Sequence, residues 1–123
     1  MLGKFVLWFS AFMVIAYGLA CLISPTLPAG LAGLELTSAD ALPEIGAMYG
    51  GLQTGFGFFC LLGAVKTEFY RPALILLLVC IGGLALARCF WAFNAAAAIG
   101  GYTWGAMVYE YTTAILAAIA LRK

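Results

Sequence analysis

Apolar residues run almost unbroken along this chain, and the few polar positions cut the run into segments. A helix needs about 20 mostly apolar residues to cross a bilayer. Four stretches meet that length: 5–23, 44–65, 72–93 and 102–121. Ser24-Pro25 and Pro28 stop the first, because proline has no N–H to continue a helix. The polar run from Lys66 to Arg71 predicts a short turn between the second and third, and Asn94 to Gly101 links the third to the fourth. Asp40 is placed to N-cap the second helix, with Pro43 in its first turn, where a missing N–H costs little. Residues 24–43 are too many for a simple turn. Leu27, Leu31 and Leu34 recur at i, i+4 and i+7, which predicts one face of a short interfacial helix. That helix reads either as a lid over the outer helix ends or as a loop packed on the headgroups.

Composition names the solvent. Hydrophobic residues make up 66% of the 123 and charged residues 9%, against about 45–50% and about 25% in soluble domains. Mean hydropathy is +1.10. A water-soluble domain this small would not cover so much apolar surface with so few charges. An ordinary cytosolic enzyme, a disordered tail and a secreted disulfide scaffold are thereby excluded. The expectation is one transmembrane domain over residues 1–123: an all-α integral membrane bundle of four helices with a long outer first loop. Lys4 followed by an apolar run also looks like a signal peptide. The run continues past Gly18-Leu19-Ala20-Cys21 into Leu22 and Ile23, so it reads as a retained transmembrane helix.

The charges orient the bundle. Net charge is +1, with no basic stripe, so nucleic acid is not an expected partner. Lys4, Lys66, Arg71, Arg122 and Lys123 fall at the two termini and the middle turn, which share one side in a four-span chain. The first loop carries Glu35, Asp40 and Glu44 and no cation. The positive-inside rule then predicts both termini in the cytoplasm. Phe69 and Tyr70 suit the inner interface, and Trp91, Tyr102 and Trp104 the outer one.

Absent residues narrow the chemistry. The chain has no histidine, so imidazole ligands, bases and nucleophile pairs are all missing. Cys21, Cys60, Cys80 and Cys89 show no C-x-x-C spacing, and neither a zinc nor an iron–sulfur site is expected. Each sits in an apolar run, where a free thiol behaves as a small hydrophobe. A Cys21–Cys89 disulfide is the alternative, since both lie toward the same membrane face. No cofactor is implied.

Two charges remain inside the spans, Arg88 and Glu110. Intramembrane charges are costly, face the protein interior and usually have a partner. Counted from the cytoplasmic boundary, Arg88 lies about 25 Å up, Glu110 about 18 Å and Gln53 about 20 Å. Cβ bonds lean toward the helix N-terminus, so Arg88 leans down while Gln53 and Glu110 lean up. The three are expected to converge in the outer half, with Tyr49 nearby and Glu44 and Tyr111 as an outer rim. An Arg fork onto a carboxylate, with Gln53 taking leftover donors, is chemically coherent. Gly46, Gly50 and Gly57 share the Gln53 face, and Gly51-x-x-x-Gly55 offers a second close contact on the neighbouring face.

The segment Gly33-Leu34-Glu35-Leu36-Thr37, followed by Glu44-Ile45-Gly46-Ala47-Met48-Tyr49-Gly50-Gly51-Leu52-Gln53, resembles the bacterial membrane family known as domain of unknown function 4345. Gly82-Gly83-Leu84-Ala85-Leu86-Ala87-Arg88 is similar to that family's Gly-Gly-Leu-Ala-x-x-Arg, and Glu110 falls where the family tends to carry a fourth-helix Glu. The likeness runs from about Pro25 onward, and its specific part is the Tyr-Gly-Gly-Leu-Gln box. The family often has Arg two residues after the acidic one; Gly46 stands there in this chain, which leaves Glu44 unpaired or facing water. The resemblance implies a small four-span protein of the bacterial inner membrane, and no activity.

Three functions from different classes fit these residues beside a purely structural ion pair that fixes helix register. The first is non-enzymatic: holding a membrane lipid, quinone or other amphiphile in the outer half, or acting as an accessory subunit of a larger membrane complex or a homo-oligomer. The second is a small proton-coupled transporter using Glu110. Small multidrug exporters carry their membrane Glu in the first helix, and the first helix here has no acidic residue. The third is a membrane isomerase-like enzyme, which fold alone does not exclude. It ranks last because Arg88 would tie Glu110 into an ion pair instead of leaving it poised to exchange a proton.

Overall fold

The computed structural model describes residues 1–122; Lys123, one of the topology-setting cations, lies outside them. Five helices account for the ordered path. They are α1 (Leu2–Ile23), α2 (Thr26–Ala32), α3 (Ala41–Val65), α4 (Thr67–Phe93) and α5 (Gly101–Leu121). Among the described residues there is no strand. Helices α1, α3, α4 and α5 are long and apolar enough to cross a membrane.

The four expected spans are present, with shifted starts. Helix α3 begins at Ala41, not at residue 44, and Pro43 sits in its first turn as anticipated. Asp40 precedes it with already helical backbone and no side-chain capping bond, so it does not act as the expected N-cap. The larger correction concerns Lys66 to Arg71. Only Lys66 is extended, and α4 starts at Thr67 with Pro72 inside it. At 27 residues, α4 is about 40 Å long, against a hydrocarbon core of about 30 Å. Its polar first turns therefore reach past the hydrocarbon, where charged side chains on a helix are solvated. Pro72 removes one N–H near an exposed helix end, a small loss there.

Two helices carry π turns, Gly46–Gly51 in α3 and Leu77–Ile81 in α4. In α3 the N–H of Leu52 reaches back five residues to the carbonyl of Ala47. Each π turn adds one residue to a helical turn and rotates every later side chain relative to the earlier ones. The buried positions of α3 accordingly step from Ile45 to Gly50 before passing to Gly57 and Cys60.

The chain divides into two compact units. The hairpin unit comprises Met1–Leu7 and the chain from Leu62 onward; the N-terminal unit is Trp8–Leu61. In the hairpin unit α4 and α5 run antiparallel. Their interior is Ala73, Leu74, Leu77, Ile81 and Ala85 against Met107, Thr113, Ala114, Ala117 and Ala120. The start of α1 and the end of α3 seat against the first turns of α4. A side chain on Gly3 would overlap the Tyr70 hydroxyl, and one on Gly63 would overlap Ala73. Exposed Lys4, Lys66 and Arg71 gather at this end of the unit. The antiparallel register brings Arg122 there too.

In the N-terminal unit α1 and α3 also run antiparallel, and they touch through backbone. A Cβ on Gly18 would stand 2.6 Å from the Thr54 nitrogen. One on Gly50 would stand 2.7 Å from Leu22 Cγ, and one on Gly57 2.9 Å from the Ile15 nitrogen. Helix α2 buries Pro28 and Ala29 against the start of α3. It ends at Gly33, whose φ of 70° is left-handed backbone that glycine adopts without strain. Leu27 and Leu31 lie on α2 and Leu34 just past its cap, all three exposed.

Much of the surface is apolar: Phe12, Val79 and Val108 are each more than 60% exposed. In water such a surface would aggregate; against lipid tails it is the ordinary outer face of a span.

Candidate functional site: an intramembrane ion pair

The site starts from the α4–α5 hairpin. Because the two helices run antiparallel, residues whose numbers have a nearly constant sum face one another. Gly82 lies opposite Ala114, and a Cβ on Gly82 would sit 3.6 Å from the Ala114 Cβ. Between one and two turns nearer the Asn94–Gly100 loop, Arg88 meets Glu110. Arg88 Nε donates to Glu110 Oε1 at 3.1 Å and to Oε2 at 3.0 Å, and Nη2 donates to Oε1 at 2.8 Å. This is a forked guanidinium–carboxylate pair, the strongest common form of side-chain hydrogen bonding. It sits five residues before α4 ends at Phe93, far from the Lys66 turn.

The two partners differ in access. The Glu110 side chain is 5% exposed and that of Arg88 is 25% exposed. Glu110 is enclosed beside Met107, Thr113 and Ala114 on the buried stripe of α5. Arg88 covers the carboxylate and keeps part of its own surface open. A charged rung thus cross-links the hairpin. Tyr111, expected at the outer rim, is half-buried on α5.

The structure brings together Arg88 and Glu110, as the depth count anticipated. Tyr49 and Gln53 are half-buried on α3 and belong to the N-terminal unit. Glu44 is exposed in the first turn of α3.

The packing glycines divide. Gly50 and Gly57 make the close contacts expected of them. Gly51 and Gly55 do not: a Cβ on Gly55 would meet nothing within 4 Å, and one on Gly51 only the Gly46 carbonyl at 4.0 Å. Gly46 faces only the edge of Pro25, also at 4.0 Å. The π turn is the physical reason. It places Ile45 and Gly50, five apart, on the inner stripe, so Gly46 and Gly51 turn away with Met48, Leu52 and Phe58. Sequence reasoning also missed Gly3, Gly18 and Gly63, whose close contacts leave no room for a side chain. Their lack of a G-x-x-x-G partner hid them.

All four cysteines are free, Cys21 and Cys89 included, so the alternative disulfide is not formed. Two hydroxyls in the N-terminal unit, Ser10 Oγ and Thr54 Oγ1, are buried without a hydrogen-bond partner.

The model of the family described as Domain of unknown function (DUF4345) matches residues 2–121, nearly the whole chain. The chain belongs to this family. The Tyr-Gly-Gly-Leu-Gln box that suggested it falls on the π turn of α3, and the Gly-Gly-Leu-Ala-x-x-Arg segment delivers Arg88 to the ion pair. No curated protein and no solved structure matches the chain. Among its described residues this DUF4345 chain has four membrane-length helices and one forked charge pair within the spans.

Proposed function

We propose that this DUF4345 protein is a non-enzymatic binding protein of the bacterial inner membrane, with both termini cytoplasmic. In this reading Arg88 receives the polar head of a lipid-like amphiphile in the outer half of the membrane. The observation that carries it is the unequal access of the pair. A pair built only to fix register would gain most from closing both partners against lipid. Here the Glu110 side chain is 5% exposed and the Arg88 side chain 25%. An arginine side chain open to this extent at membrane depth favours a polar head group in contact with it. The exposed cations at the Lys66 end support the orientation, since that end carries the charge excess expected of the cytoplasmic side.

Proton-coupled transport is the weaker reading. A carboxylate enclosed to 5% and gripped by three N–H···O contacts lacks the water access that alternating protonation requires. Packing against a larger membrane complex has one observation in its favour: the open glycine face of Gly51 and Gly55, a surface on which another helix approaches closely.

The test is native mass spectrometry of the protein released from mild detergent. Wild type is compared with the double variant Arg88→Gln, Glu110→Gln, which removes both charges and strands neither. The expected result is a retained amphiphile in wild type and its loss in the double variant. Equal retention by both would overturn the assignment to Arg88.

A further inference from the structure

Positive charge gathers at the end of the hairpin unit where α3 turns into α4. Lys4, Lys66, Arg71 and Arg122 are all exposed there. None of them has an ion-pair partner among the described residues. The acid at this end is Glu68, exposed in the first turn of α4. The charge is not spread over the molecule. The N-terminal unit, Trp8–Leu61, carries Glu35, Asp40 and Glu44 and no cation.

Two of the cations flank one contact. A Cβ on Gly3 would collide with the Tyr70 hydroxyl, so α1 and α4 stand one tyrosine side chain apart. Lys4 follows Gly3, and Arg71 follows Tyr70. Lysine and arginine side chains are as long as the tyrosine that spaces the helices. Cβ bonds lean toward the N-terminus of their helix. The N-termini of α1 and α4 both lie at this end, so Lys4 and Arg71 lean out of the spans. Lys66 stands beside them on the one extended residue between α3 and α4.

The surface next to these charges selects the anion. Phe5 follows Lys4, Val65 precedes Lys66, and Ile75 lies one turn beyond Arg71 on the same face of α4. Phe5 and Val65 are more than half exposed and Ile75 nearly half. Along α4 the guanidinium comes first and apolar surface follows a turn deeper. Phosphate and acyl chain stand in that order in a phospholipid. A soluble anion would use the charges and leave the apolar surface bare. A zwitterionic headgroup brings a cation of its own, which the three basic side chains repel.

We infer that the Lys4, Lys66 and Arg71 end holds an anionic phospholipid, its phosphate between Lys4 and Arg71 and its chains on the apolar surface beside them. The guanidinium supplies forked N–H donors to the phosphate oxygens, and the ammonium supplies a point charge. The site is separate from the Arg88–Glu110 pair, which lies toward the other end of α4, and does not depend on it.

The experiment uses Trp8 as reporter. It lies one turn beyond Lys4 on the same face of α1 and is half exposed. Full-length protein carrying Trp91→Phe and Trp104→Phe is reconstituted in phosphatidylcholine bilayers. Part of the lipid is then replaced by dibrominated phosphatidylglycerol or by dibrominated phosphatidylcholine. Bromine quenches indole fluorescence on contact, so quenching against mole fraction gives the relative affinity of the two lipids. Each basic side chain beside an anionic headgroup strengthens the attraction about fivefold. With Lys4 and Arg71 acting together, the expected preference for phosphatidylglycerol is about twentyfold. It is lost in the double variant Lys4→Gln, Arg71→Gln and kept in Lys4→Arg, Arg71→Lys, which retains both charges. Arg122→Gln removes one charge away from the Gly3–Tyr70 contact and leaves the preference near its wild-type value. Equal quenching of wild type by the two lipids overturns the site. An equal loss from Arg122→Gln and Arg71→Gln also overturns it, because a diffuse positive field behaves that way. Relief of the phosphatidylglycerol quenching by millimolar inorganic phosphate overturns the lipid as occupant.

Discussion

Arg88 and Glu110 join α4 to α5 through long side chains, whereas Gly18, Gly50 and Gly57 bring α1 and α3 together by having none. The first contact is directional: two guanidinium nitrogens donate to the two carboxylate oxygens. The second is steric: backbones approach until a single added carbon would collide. Both answer the same difficulty. Between lipid-facing helices burial from water contributes nothing, so association depends on dispersion at short range and on polar groups that have no better partner. A charge pair offers strength in one place and depends on both members. A glycine seam spreads weak contacts over three turns and fails at any residue that grows.

That contrast can be broken in order of size. Removing Arg88 alone leaves a carboxylate enclosed to 5% without its partner. We expect Arg88→Leu to cost about 3 kcal/mol, near the lower end for a broken buried pair because Arg88 is partly open. Reversible unfolding in mixed micelles would measure it; a loss under 1 kcal/mol would mean that lipid or water replaces the guanidinium. Next comes the seam. Gly57→Val places a carbon 2.5 Å from Ile15 Cγ1 and 2.9 Å from its nitrogen, and forced packing of this kind costs about 2 kcal/mol. In the same assay, a wild-type midpoint for this variant would show that α1 and α3 separate freely.

The smaller effects sharpen the comparison. Replacing both charges together, Arg88→Leu with Glu110→Leu, removes the desolvation penalty along with the attraction. Stability should return to within about 1 kcal/mol of wild type, while the amphiphile retention proposed for Arg88 should not return. A double variant as unstable as Arg88→Leu would show that the fork itself holds the hairpin. The smallest change is expected from Gly51→Leu with Gly55→Leu, on the open face of α3: within about 0.5 kcal/mol. The same variant run on a sizing column asks a separate question. An altered oligomeric state would mark that face as one covered by another helix.

The spans and the ion pair were legible in the sequence for physical reasons. A span announces itself by length and hydropathy alone. Arg88 and Glu110 were the two charges that lipid would not accept, and a short loop between adjacent spans forces an antiparallel register that can be counted. The parts that were not legible turn on single residues. Nothing in Gly46-Ala47-Met48-Tyr49-Gly50-Gly51 marks a π turn, yet it decides that Gly50 packs and Gly51 does not. A G-x-x-x-G spacing says that two glycines share a face without saying which way the face looks. The stretch Lys66 to Arg71 was polar, and polar was read as non-helical. At the end of a helix longer than the bilayer is thick, charged side chains and helical backbone coexist. An apolar depression beside Trp104 left no sequence signal, because Ala92, Ala97 and Ala98 form its wall only once the loop is folded.

Lys66 alone separates α3 from α4, and this joint has a consequence for how the protein is made. Its carbonyl accepts from the Phe69 N–H at 3.1 Å, and its own N–H donates to Leu62 O at 2.8 Å. The connection holds no slack. A ribosome delivering these spans to an insertion machine has no linker on which to park the first while it makes the second. The two must leave the machine as a preformed hairpin, with Gly63 already against Ala73. A flexible insertion after Lys66 would leave the finished contacts intact in principle and change the order in which they are made. Its signature would be slower or misoriented insertion of α3, seen in a co-translational glycosylation-mapping assay, in a protein whose unfolding midpoint stays where it was.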